Sequence, residues 1–361
     1  MALVLEGVSK LVEGQTHIYP TDLTLERGTM NVLLGPTLSG KTSLMRVMAG
    51  LDAPTTGRLF WEGQDVTGMR VQDRKVAMVY QQFINYPSMN VYENIASPLR
   101  LMGVGKAEID RRVRATAEMM KLSAMLDRKP LELSGGQQQR CALARALVKE
   151  AGLVLLDEPL ANLDYKLREE MRAEIPRIFE ESGAIFVYAT TEPEEALLLG
   201  GNVATLWEGR VTQFGLTPKV YRQPKDATTA RVFSDPPMNF TRMVKAGEKI
   251  SIGEGQSKAS GMLAGLADGA YLAGFRPDHL RIAAPHAEAL EFQCRLRVTE
   301  LTGSETFIHL DHGNDRWVGL VHGAHDLEFG APLKVWLDAA HVYAFAESGE
   351  LVAPAGYAQA A

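Results

Sequence analysis

The sequence predicts an α/β domain followed by a smaller, β-rich one. Three observations carry this. Apolar, partly β-branched runs alternate with helical periodicity as far as about residue 235. A glycine loop, GPTLSGKT (35–42), lies between one of those runs and an amphipathic stretch. Beyond the proline-rich segment FSDPPMNF (233–240), the texture changes to short alternating runs broken by glycine. A length of 361 residues suits two domains at roughly 100 to 200 residues each, with expected bounds of 1–235 and 236–361.

In chain order, strands are expected at 30–34 (MNVLL), 76–80 (VAMVY), 153–156 (LVLL), 185–189 (IFVYA) and 203–207 (VATLW). Their nearly continuous apolar character suits a sheet covered by helices on both faces. Helical periodicity is clearest over 106–122, 137–150, 166–181 and 193–200, and SLMRVMAGL after the glycine loop adds one more. The later runs, among them KISIG, FQCRLRVTELTG, TFIHLDHG and PLKVWLDAAHVYAF, describe a small antiparallel barrel or sandwich.

Composition excludes several classes. With 46% apolar and 23% charged residues, the chain is neither disordered nor collagen-like, and no run approaches the length of a membrane span. The opening MALVLEGVSK lacks the basic start and apolar core of a signal peptide, so a cytoplasmic protein is expected. Cys141 and Cys294 are too far apart in sequence for a metal knuckle and read as reduced thiols. A net charge of −6 gives no reason to bind nucleic acid or anionic lipid. The eight histidines show no ligand spacing and are expected in solvated or barrel-core roles; the methionines are expected to pack.

The loop fits G-x-x-x-x-G-K-[ST] in the strand–loop–helix setting that the pattern requires. Gly35 and Gly40 let the backbone curl through Pro36, which has no N–H, so that the N–H groups of Thr37, Leu38 and Ser39 face inward, and the helix opening at Lys41, Thr42 and Ser43 adds its positive end. Lys41 is expected to meet the β- and γ-phosphates of ATP, and the Thr42 hydroxyl to ligate Mg²⁺. The run LVLLDEP (153–159) supplies a second landmark. Adjacent strand residues point to opposite faces, so Asp157 and Glu158 share a site only if the strand ends there, as Pro159 suggests. Asp157 is then the Mg²⁺ partner and Glu158 the general base.

Between these landmarks, LSGGQQQR (133–140) resembles the signature motif of ABC-type ATPases. Ser134 is suited to cap a helix, Gly135 and Gly136 to admit a phosphate, and Gln137 completes the pattern. The chain resembles that family from about residue 3 to 348. VYQQFINYPSMNVYENI (79–95) is similar to the family's Q-loop region, which implies that Gln81 senses Mg²⁺ and the attacking water and that the segment with Tyr86 and Met89 holds a permease's coupling helix. ANLDYKLREEMRAEI (161–175) resembles the D-loop and its helix, with Asp164 facing a second subunit. The tail, with GFRPDHLRI and VTELTGSETFIHL, resembles the TOBE-type, OB-like domain of the maltose and glycerol-3-phosphate importer ATPases.

The resemblance implies an ATP-hydrolysing subunit coupled to uptake of a sugar, a polyol such as glycerol, or glycerol phosphate. It also implies transmembrane permease subunits, a solute-binding protein and attachment at the cytoplasmic side of the cell membrane. DNA-repair ATPases share the signature, but the stretch between Lys41 and Leu133 has no room for their coiled coil.

Three positions depart from the family. Thr191 stands at the switch histidine, where a short neutral hydroxyl replaces an imidazole. Leu38 replaces a loop glycine, at a cost of roughly 1 to 2 kcal/mol if φ is positive there. Val12 replaces the adenine-stacking aromatic, leaving Tyr19 as the nearest candidate. All three belong to this chain's own site, whereas Ser134–Gln137 and Asp164, donated across a dimer, are regular. That asymmetry implies a heterodimer with a second ATPase subunit, in which this chain would bind ATP but hydrolyse it weakly as a regulatory partner, the alternative being a slow homodimer.

Overall fold

The computed structural model describes residues 2–359 except Phe83, Asn162 and Asp164. It divides into two units, Met1–Thr217 and Pro218–Ala361.

In the first unit, the parallel strands β3 (Met30–Leu34), β6 (Val76–Val79), β7 (Leu153–Asp157), β8 (Ile185–Thr190) and β9 (Asn202–Trp207) join the antiparallel β10 (Arg210–Leu216) in the order β10-β9-β3-β8-β7-β6. β3, β7 and β8 are buried at every residue, which is why they read as continuous apolar runs. A second, antiparallel sheet was not anticipated: β1 (Ala2–Val12), β2 (Gln15–Glu26), β4 (Thr56–Trp61) and β5 (Gln64–Asp65), in the order β2-β1-β4-β5. Pro20 is tolerated in β2 because β2 is an edge strand. Leu3, Leu5 and Leu25 from this sheet share one core with Leu33 and Leu155 of the other and with Leu44 and Met48 of α1 (Lys41–Ala49).

The remaining helices are α2 (Val91–Leu101), α3 (Lys106–Met119), α4 (Gly135–Leu147), α5 (Tyr165–Ser182) and α6 (Pro193–Leu199). Among the described residues, no helix is long and apolar enough to cross a membrane.

The second unit opens within α7 (Thr217–Arg222), after its first residue, and continues with α8 (Ala227–Val232). β11 (Asn239–Ala246), β12 (Lys249–Ile252), β13 (Gly255–Lys258), β14 (Gly269–Phe275), β20 (Tyr343–Phe345) and β21 (Leu351–Ala353) form one antiparallel sheet. β15 (Leu280–Arg281), β16 (Leu290–Leu301), β17 (Glu305–His312), β18 (Asp315–His322) and β19 (Pro332–Leu337) form the other. Both enclose Trp317, packed edge-on against Phe275 and Phe292.

The division at 217/218 precedes the expected 235/236. Arg276, a buried β-domain residue, contributes to this: its guanidinium donates to Phe233 O (2.6 Å) and Tyr221 O (2.8 Å) and lies 3.8 Å over the Tyr221 ring, while Ala227 N donates to Gly349 O (2.8 Å) and Ala230 shares a core with Tyr343 and Phe345. These long-range contacts tie α7 and α8 to the second unit.

Candidate nucleotide site

β3 delivers the chain into the loop 35–40 and α1 leaves it at Lys41. A Cβ at position 35 would stand 2.5 Å from Leu206 O and 2.6 Å from Ser39 Oγ, so only glycine fits there. Gly40 precedes α1 at φ 103° and no side chain caps the helix, which leaves its first N–H groups available to an anion. Leu38 has φ 68°, and its side chain is 95% exposed. The loop is braced from outside: Gly35 N donates to Thr190 O (3.3 Å) and Gly209 N to Ser39 O (3.0 Å).

β7 ends at Asp157, and Glu158 turns to φ 45° with its N–H donating to Ala189 O (3.0 Å). That break brings both carboxylates to one place. Thr42 Oγ1 donates to Asp157 Oδ1 and Oδ2 at 3.1 and 3.0 Å. Lys41 Nζ donates to Gly35 O (2.7 Å) and Pro36 O (3.0 Å) and pairs with Glu158 Oε1 at 3.3 Å. Gln81 Nε2 donates to Glu158 Oε2 (3.3 Å). Burial lowers the Lys41 pKa against the pull of Glu158, and burial raises that of Asp157 against the Thr42 hydrogen bond. A hydroxyl open to the cleft and a buried carboxylate side by side are a hard-oxygen donor set, and they fit Mg²⁺.

These groups border a cleft of about 700 Å³. Its other walls are Gln15, Thr16, His17 and Tyr19 from β2, and Glu208 and Gly209, the two positive-φ residues of the β9–β10 turn. The Arg210 guanidinium lies 3.5 Å from the centre of the Tyr19 ring. Val12 ends β1 opposite Gln15. His17, expected in a solvated or barrel-core role, lines the cleft with Nδ1 3.3 Å from Ser43 Oγ.

Ser134 caps α4 in a reciprocal box: Gln137 N donates to Ser134 Oγ (3.4 Å) and Ser134 N to Gln137 Oε1 (3.0 Å). A Cβ at Gly135 would meet open space. None of Ser134, Gly135, Gly136 and Gln137 lines the cleft, and Asp164 lies outside the described residues.

The family described as "ABC transporter" matches residues 18–161, and "TOBE domain" matches 273–345. The sn-glycerol-3-phosphate import ATP-binding protein UgpC of Pectobacterium atrosepticum is 35% identical over 339 residues, covering 93% of this chain and 94% of that protein. The chain belongs to the ABC transporter ATP-binding subunits.

The trehalose/maltose import ATP-binding protein MalK of Thermococcus litoralis is likewise 35% identical, over 94% of this ABC subunit and 96% of its own length. Among solved structures, cbiO1 from Clostridium perfringens, part of the ABC transporter complex cbiONQ, superposes with a TM-score of 0.57 at 25% identity, over 61% of this chain and 90% of that one. The ATP-binding cassette MJ0796, in a dimeric post-hydrolysis state bound to ADP and Pi, gives 0.52 at 27%, over 60% and 98%. The subunit is thus an ABC ATPase with a TOBE-type second domain.

Two features of this ABC subunit escape motif reading. Thr191 is exposed and does not line the cleft, while its neighbours are pinned. Thr190 Oγ1 donates to buried Glu195 (2.6 Å) and accepts from Glu192 N (3.0 Å), and Glu192 pairs with Arg168 (3.0 Å) and Arg172 (2.6 Å) of α5. Burial raises the Glu195 pKa. The second is Asn94, fully buried, which accepts from Tyr86 N (2.8 Å) and donates to Tyr86 O, Met89 O and Asn90 O (3.0 to 3.1 Å). It holds the loop in which Tyr86 and Met89 were expected to meet a permease, and Arg145 stacks on Tyr86 at 4.7 Å. The signal for Asn94 was a lone polar residue on the buried face of α2.

Proposed function

We propose that this subunit binds Mg²⁺·ATP in the cleft and hydrolyses it to drive uptake of a small polar solute: a sugar, a polyol such as glycerol, or glycerol phosphate. The observation that carries the reading is the grouping of Lys41, Thr42, Asp157, Glu158 and Gln81 within direct hydrogen-bond and ion-pair contact. The uncapped start of α1 and Lys41 receive the β- and γ-phosphates. An incoming phosphate competes with Glu158 for the Lys41 ammonium, which frees the carboxylate to take the proton of the attacking water. Gln81, already donating to Glu158, orients that pair. Mg²⁺, held by Thr42 and Asp157, neutralises charge on the phosphate oxygens when bound.

The second composite half of each site comes from Ser134–Gln137 and Asp164 of an opposing ATPase subunit. Permease subunits seat on the Tyr86 segment, a solute-binding protein completes the complex, and the subunit is peripheral at the cytoplasmic face of the membrane. The import names of its full-length relatives support this reading. The deciding measurement is ATPase activity of the assembled transporter with Glu158→Gln, which is expected to bind ATP and lose hydrolysis; turnover at the parental rate would refute Glu158 as base.

A second reading, an asymmetric pair with a distinct ATPase subunit, is favoured by Leu38 at positive φ and by Thr191 standing outside the cleft. Counting the ATPase subunits in the native complex tests it, since two identical copies with brisk coupled turnover would overturn it.

A further inference from the structure

Among the described residues, two ring side chains line the cleft, His17 and Tyr19, and they have different surroundings. Alternation along β2 puts both on one face, with buried Ile18 on the other. The Tyr19 ring has the Arg210 guanidinium 3.5 Å from its centre, which takes one face. Its backbone N–H donates to Gly209 O (2.9 Å), and Gly209 N in turn donates to Ser39 O (3.0 Å). Tyr19 is thereby built into the scaffold behind the phosphate loop.

His17 stands one step outward. Lys41 and Thr42 are the phosphate end of the cleft, and His17 Nδ1 lies 3.3 Å from the hydroxyl of the next residue, Ser43. The close approach of β2 to the loop fixes that spacing, because a Cβ on Gly40 would fall 2.9 Å from His17 O. The imidazole of His17 is half-buried and held beside Ser43, the residue next after those proposed to receive the phosphates.

We infer that His17, not Tyr19, supplies the flat surface on which the nucleobase stacks, replacing the aromatic absent at Val12. This rests on the ATP reading of the cleft. A histidine ring serves as a stacking platform because any base has a π-face, and such contacts are sequence-tolerant.

The test titrates the full chain, with Mg²⁺ present, against two probes: ATP and inorganic tripolyphosphate, which has the phosphates but no base. His17→Ala is expected to weaken ATP about tenfold while leaving tripolyphosphate within about twofold, and His17→Phe to restore ATP. Tyr19→Ala, which removes the ring under Arg210 and keeps the backbone bond to Gly209, is expected to change the affinity of both probes by the same factor. The inference is overturned if His17→Ala leaves ATP affinity unchanged or weakens both probes equally, if His17→Phe fails to restore ATP, or if Tyr19→Ala weakens ATP alone. A parental chain that binds neither probe would overturn the ATP reading itself, and the inference with it.

Discussion

Leu38→Gly should stabilise the ATP-binding unit, and the structure allows the size of the effect to be worked out. Leu38 has φ 68°, where a Cβ crowds the following carbonyl at a cost of roughly 1 to 2 kcal/mol. Its side chain is 95% exposed, so removing it forfeits almost no apolar burial. Against the relief stands the extra backbone freedom of glycine in the unfolded chain, about 0.4 to 1 kcal/mol. The net gain is about 1 kcal/mol. For a unit of the size of Met1–Thr217, 1 kcal/mol raises the unfolding midpoint by roughly 2 to 4 °C. Calorimetry resolves that shift if the transition of this unit is followed separately from the other. Leu38→Ala is the control, because it removes the apolar chain but keeps the Cβ, and should stay within about 0.5 kcal/mol of the parent. If the alanine and glycine variants unfold together, or the glycine variant unfolds first, the strain argument is wrong.

Lys41→Ala should abolish ATP binding, since it deletes the buried ammonium at the phosphate loop; unchanged affinity in a calorimetric titration would contradict it. Asn94→Ala removes the acceptor of Tyr86 N and the side-chain donor to Met89 O, while Tyr86 O and Asn90 O keep backbone donors, so it should destabilise by about 1 to 3 kcal/mol and speed amide exchange at Tyr86. In the β-rich unit, His279 stacks on His341 at 4.2 Å near Tyr357, Arg276, Arg281 and Asp278, and burial drives its pKa down to about 3. His279 therefore stays neutral in the fold while the unfolded chain takes up its proton near pH 6.5. The stability it protects is whole above that pH and falls as pH drops towards 3, by at most about 1.4 kcal/mol per unit. His279→Phe should flatten this slope between pH 6.5 and 5, as read from unfolding midpoints of the full chain.

Much of the first unit was legible because its signals are local. The run 30–34 coincides with β3, since a strand buried on both faces needs apolar residues throughout. The phosphate loop and the Ser134 box were legible for the same reason: a tight turn or a helix cap restricts residue type within a few positions. α2 was not anticipated, because Pro98 inside it reads as a breaker. β1, β2 and β4 were missed because a half-buried sheet mixes polar and apolar residues and is recognised through its partners. The ownership of α7 and α8 depended on Arg276 and on the strands near the C-terminal end of the chain, all more than forty residues away in sequence. At the site, the chemistry of Lys41, Asp157 and Glu158 was fixed by residue type, while the different surroundings of His17 and Tyr19 were decided by Arg210 and Ser43 arriving from other elements. Sequence determines which groups are present and what each backbone segment tolerates. Which face of a side chain is already occupied is a long-range packing result, and only the tertiary structure decides it.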